Sequence, residues 1–135
     1  MGYHSFDLQS AIYTLLSGDS TLDSLVGNNR IYDNVPQTSS YPYVVIGNEI
    51  ATNQGTKTLD GIEYGIDIDV WSQYRGKKEI KNIMERIYNL LHDQDLTVSG
   101  ASFVVGQVRQ VATLVEADGI TRHGILSVSI IVYDS

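Results

Sequence analysis

The sequence predicts an α+β fold, a largely antiparallel sheet of four to five strands with two main helices packed on one face. Three observations carry this prediction. Along 60–71 apolar and polar residues alternate, so that Ile62, Tyr64, Ile66, Ile68 and Val70 share one face and Glu63, Gly65, Asp67, Asp69 and Trp71 the other. That is the two-residue period of a half-buried strand. After Tyr74-Arg75-Gly76 the period changes: Ile80, Ile83, Met84, Ile87, Tyr88 and Leu91 recur at three- and four-residue steps, an apolar stripe along a helix. Finally, 103–116 and 125–133 are strand-like runs separated by Asp118-Gly119, a pair suited to a tight turn between antiparallel strands. A one-sided strand joined by few residues to a one-sided helix hides both apolar faces against each other, which makes helix on sheet the first layer of the core.

Taken in order, Phe6 to Leu16 reads as a first helix with Phe6, Leu8, Ala11, Ile12, Leu15 and Leu16 on its apolar side, Ser5 as N-cap and Asp7 in the first turn, where a carboxylate suits the helix dipole. A short second helical turn, Thr21 to Val26, is capped by Asp19 or Ser20 and stopped at Gly27-Asn28-Asn29. Arg30 to Tyr32 is a short edge strand, and 34–42, with both prolines, is a loop. Tyr43 to Ile50 begins with continuous apolar residues, as in a strand covered on both sides. The small, polar stretch 51–58 is expected to project as a long hairpin loop. After the second main helix, His92 lies near a helix C-terminus, where positive charge is favoured. A short segment, Leu96 to Val98, leads to the final hairpin, with Leu126, Val128, Ile130 and Val132 inward and Ser127 and Ser129 outward.

A chain of 135 residues without internal repeat or linker is expected to be one domain spanning 1–135. The 42% hydrophobic fraction and nine tyrosines are those of a globular, strand-rich protein. With no cysteine, disulfides and thiolate metal sites are excluded. Apolar runs such as 43–46 are far too short to span a bilayer, and the first residues lack the pattern of a signal peptide, so neither membrane insertion nor export by that route is expected. The formal charge of −7 argues against general binding of nucleic acid.

No catalytic motif stands out. His4, His92 and His123 are far apart and form no paired ligand motif. There is no phosphate-binding glycine loop and no nucleophile elbow around a serine. Glu63, Asp67 and Asp69 share one strand face, the geometry a small metal-dependent hydrolase could use, but no neighbouring ligand completes a coordination sphere. No cofactor or metal is therefore expected. Lys77, Lys78 and Lys81, with Arg86, make the polar side of the second main helix basic within an acidic whole. Trp71, on the face opposite the core, is either an anchor for a partner or covered by a loop or the first helix.

Several segments together resemble a known family. They are Asp7-Leu8-Gln9-Ser10-Ala11-Ile12-Tyr13 with 22–26, then Arg30-Ile31-Tyr32-Asp33-Asn34-Val35-Pro36 followed by Tyr41-Pro42-Tyr43-Val44-Val45-Ile46-Gly47. Val70-Trp71-Ser72 leading into Gly76-Lys77-Lys78-Glu79-Ile80 comes next, and last Leu114 to Gly124 with Asp118-Gly119-Ile120-Thr121-Arg122-His123-Gly124. In order and spacing the chain resembles the tail-completion, or tail terminator, proteins of long-tailed phages and gene transfer agents. The resemblance implies a non-enzymatic virion protein, assembled in the host cytoplasm into a ring of six on the head-proximal end of the tail tube. Its implied partners are further copies of itself, the tail tube protein and a head-completion or stopper protein, with DNA passing through unbound. The competing readings are the hydrolase and an intracellular adaptor. On the ring reading, Glu63, Asp67 and Asp69, or the loop 51–58, face the lumen, because carboxylates keep phosphates from sticking. Ring closure would use long strand edges and the face of Lys77, Lys78 and Lys81. Trp71, Gln54, Gly55, Thr56, Arg122 and His123 complete the expected subunit or partner contacts.

Overall fold

The computed structural model describes residues 4–27, 29–36, 40–53, 61–98, 100–101 and 103–133. Among them are three helices, α1 (Ser5–Ser17), α2 (Ser20–Val26) and α3 (Lys78–Leu91), and six strands, β1 (Ile31–Tyr32), β2 (Tyr43–Asn53), β3 (Gly61–Ser72), β4 (Gln94–Asp95), β5 (Phe103–Val115) and β6 (Arg122–Tyr133). The α+β class holds, but the count of four to five strands and two helices is low. Two strands are two-residue pieces, and the capped segment after α1 is a helix in its own right. The sheet order is β1-β2-β3-β6-β5-β4. Every pairing is antiparallel except β1 with β2, which is parallel.

Tyr64, Ile66, Ile68 and Val70 of β3 lie level with Ile130, Val128, Leu126 and Gly124 of β6. With Val44, Ile46, Val104 and Val108 they form the buried side of the sheet, against Leu8, Ile12 and Leu16 of α1, Leu22 and Val26 of α2, and Ile80, Ile83, Met84, Ile87 and Leu91 of α3. The buried Tyr64 keeps its hydroxyl satisfied by accepting the backbone N–H of His4 at 2.8 Å. At the junction of β3 and α3, the buried Ser72 hydroxyl donates to Glu79 at 2.7 Å and accepts the Tyr74 amide at 3.1 Å. Gly76, at φ 84°, supplies the left-handed residue the turn needs.

Several elements depart from expectation. Ser5 is the first residue of α1 rather than its cap, and its hydroxyl donates to Glu49 of β2 at 2.5 Å. Phe6 is 76% exposed instead of facing the core. The second helix matches its caps: the Asp19 carboxylate accepts the Leu22 amide at 2.8 Å and Gly27 ends the helix at φ 86°. β2 is covered only on its helix side, and its far half is open, with Ile50 73% exposed. A two-residue strand at Gln94–Asp95, which the sequence did not suggest, precedes the short segment Leu96 to Val98. Tyr88 sits at the rim, stacked on His92 at 4.6 Å. His92 serves as an acceptor, its Nδ1 taking the Val108 amide at 3.1 Å, and so ties the end of α3 to β5.

Candidate functional site

The side of the sheet away from the helices carries the residues singled out from sequence. Alternation on β3 sends Glu63, Gly65, Asp67, Asp69 and Trp71 to this side, and register places Ile131, Ser129, Ser127, Ile125 and His123 of β6 beside them in the same order. None of the three acids is loose. Ser129 donates to Glu63 Oε2, Ser127 donates to Asp67 Oδ1 at 3.4 Å, and Asp69 Oδ1 meets His123 Nε2 at 2.8 Å.

His123 is held from three sides. Its Nδ1 lies 3.3 Å from Glu116 Oε1, and the Trp71 ring stacks on it with centroids 3.8 Å apart and 10° between planes. Among the described residues, the ring that lies on Trp71 is that of its cross-strand neighbour His123. Gly47 in the β2 bulge makes room for this arrangement, since a Cβ there would fall 2.5 Å from Asp69 Oδ2. Tyr43 of β2 lies level with Trp71 of β3. Burial, with Tyr41 alongside, pushes its hydroxyl up to about 12.

The acids therefore form a row fixed by hydroxyls and an imidazole, not a convergent cage. Among the described residues no group of three His, Cys, Asp or Glu side chains could hold a metal ion. A shallow depression of about 290 Å3 crosses the middle of this face, with Asn48, Ile50, Glu63, Asp67, Arg109 and Ser127 around Gly65. Arg109 sits where β5 slips register between Val108 and Gln110.

The remaining expected contacts are dispersed. Lys77, Lys78 and Lys81 are exposed at the start of α3, but the helix divides two of them. Lys81 borders a groove with Met84, Tyr88 and Val111, whereas Lys78 borders a hollow with Ser24, Leu25 and Tyr74. Arg86, the fourth cation of that helix, is turned to Asp19 instead, donating from Nε at 2.9 Å and from Nη2 at 2.6 Å. Arg122 and His123 point to opposite sides of β6; Arg122 donates to the Ile120 carbonyl at 2.5 Å, and His123 joins the acidic row. Gln54, Gly55 and Thr56 lie outside the described residues, as does most of the projected loop 51–58.

Sequence reasoning passed over Glu116, Ser127, Ser129, Gly47 and Arg109. The alternation of β6 does place both serines outward, but Glu116 and Gly47 are recognised only through the register that carries them to His123 and Asp69.

Comparison with known proteins extends over nearly the whole chain. The family profile described as "Tail completion protein gp17" matches residues 10–133. The tail completion protein gp17 of Bacillus phage SPP1 is 30% identical over 121 residues, covering 90% of this chain and 88% of that protein. The solved structure of the bacteriophage SPP1 gp17 protein is similar with a TM-score of 0.65 at 25% identity, covering 100% of this chain and 97% of the other. A chain in the virion of a native gene transfer agent particle shares the fold more closely, with a TM-score of 0.89 at 23% identity over 98% of this chain and 99% of its own.

Proposed function

Because the chain belongs to the tail completion protein gp17 family, we propose that it is a structural protein of a phage-type virion tail, acting by shape rather than by catalysis. Its copies close into a ring of six on the head-proximal end of the tail tube. The ring ends tube polymerisation, offers a docking surface to a head-completion protein, and leaves an axial channel for DNA. One domain, 1–135, forms each wedge of the ring, and assembly takes place in the host cytoplasm.

The observation that carries this reading is the span of the family match, 10–133, which takes in every strand of the sheet together with α2 and α3. The acidic row supports the placing of the channel. Glu63, Asp67, Asp69 and Glu116, on the side of the sheet free of described helices, repel phosphates at a distance. The bonds from Ser127, Ser129 and His123 hold three of them in place, so the repulsion is built into the wall. A wall of this kind lets a polyanion slide without the counterion release that drives phosphate binding.

Replacement of Glu63 and Asp67 together by lysine tests the placement. Both are outward and partly exposed, so the fold is expected to survive and tails to form. Release of DNA from the assembled particles is expected to slow, with the delay shrinking as salt rises. Release at the unaltered rate in low salt would contradict a lumenal position for this face.

A further inference from the structure

We propose that neighbouring copies join by sheet extension: the open outer segment of β2 in one copy adds antiparallel to the open outer segment of β5 in the next. This rests on the ring reading and names the two surfaces that close the ring.

Both edges of the sheet are only partly covered. β1 covers β2 only at Val44 and Val45, and β4 covers β5 only at Val105 and Gly106. Each outer strand then slips register, β2 between Ile46 and Glu49 and β5 between Val108 and Gln110. Past these bulges no strand among the described residues lies outside 49–52 or 110–115. An uncovered edge offers its backbone N–H and C=O groups to another chain, and proteins that avoid such pairing block it with proline or charge. Segment 110–115, Gln-Val-Ala-Thr-Leu-Val, has neither. It exposes apolar side chains instead, Val111 at 48% and Val115 at 45% on the helix side and Leu114 at 40% on the other, where β2 answers with Ile50 at 73%; the one charge of 49–52, Glu49, is engaged by Ser5 of its own copy.

The two edges fit each other. Across the order β2-β3-β6-β5 every neighbour is antiparallel, so β2 and β5 run in opposite directions and a following copy meets β5 in the favoured antiparallel sense. The open segments lie at opposite ends of the sheet, since Ala51 is level with Tyr64 and Ile130 whereas Val111 is level with Leu126 and Ile68. Joining them staggers each copy along the strands, as closure of a sheet into a barrel requires.

The helices beside the two edges add side-chain contacts to the joint. Ser5 binds Glu49 of β2 and Phe6 borders a hollow with Ile31 and Tyr32 of β1, so the start of α1 lies along the β1–β2 edge. Lys81 and Glu85 border the groove of about 390 Å3 between α3 and β5, whose Met84, Tyr88 and Val111 give the exposed Phe6 of the next copy an apolar seat. In a chain of net charge −7, pairing of Asp7 with Lys81 across the joint offsets part of the repulsion between copies.

The absence of native cysteine makes cross-linking direct. Ala51→Cys is combined in turn with Val111→Cys, Thr113→Cys and Val115→Cys, all on the helix side of the sheet, and with Gln94→Cys as a control. Mild oxidation of the purified protein is expected to give a ladder of covalent multimers for at least one of the three pairs and none for the control. In parallel, Val111→Glu with Leu114→Glu, both at exposed positions, is expected to leave thermal unfolding unchanged and weaken ring formation roughly tenfold or more. Rings that form without any of the three cross-links, or undiminished in the double glutamate variant, overturn the proposed joint and leave the ring reading standing. A protein that never self-associates overturns both.

Discussion

Asp19 accepts the Leu22 amide as the cap of α2 and a two-pronged bond from Arg86 of α3. One carboxylate thus sets the angle between two helices. Arg86, more than any other neighbour, holds its pKa below the ordinary aspartate value of 3.8. The folded protein therefore keeps Asp19 ionised at pH values where the unfolded chain would protonate it. The stability from this charge is fully present above that ordinary value and fades as pH falls through the lower, folded value. Asp19→Ala is expected to cost about 1–2 kcal/mol at neutral pH and to flatten the acid limb of the stability curve, as measured by urea unfolding at pH 7 and below pH 4. An equal loss at all pH values would refute the role of the ionised pair. Gly47 is the second residue on which local geometry turns. Because a Cβ there would collide with Asp69, Gly47→Ala is expected to push the carboxylate off His123, changing the His123 ring resonances in NMR spectra and lowering the melting temperature.

Among the elements, β3 is the most legible in sequence because every second residue from Tyr64 to Ser72 is buried. α3 is nearly as clear, its stripe of Ile80, Ile83, Met84, Ile87 and Leu91 all buried. Ile83→Ala is expected to destabilise the protein by roughly 2–4 kcal/mol, the range for truncating a fully buried isoleucine, with the change read from chemical denaturation. α1 is harder to read, since Leu8, Ile12 and Leu16 make a narrow stripe and Phe6 sits about 200° around the helix from Leu8. The imperfect alternation of β5 has a physical source in the register slip at Arg109, which reverses the faces on its far side. β4 carries no apolar signal because both of its residues are exposed. Of the candidate site, the sequence shows the outward acids but not what holds them. His123 and Asp69 are 54 residues apart, and only the β3–β6 register brings them together.

At the scale of the whole molecule, helices cover one side of the sheet while the other side and both outer corners remain open to partners among the described residues. The outward carboxylates of β3 are strung along the strand, each engaged by a side chain of β6, and exposed apolar side chains line the open edges of β2 and β5. That distribution suits a unit that completes itself by joining copies. Electron microscopy of the purified protein, alone and mixed with tail-tube protein, tests this most directly. The account predicts closed rings with a central channel that cap one end of each tube and halt its growth. Particles that remain single at every concentration and leave tube length unchanged would contradict it.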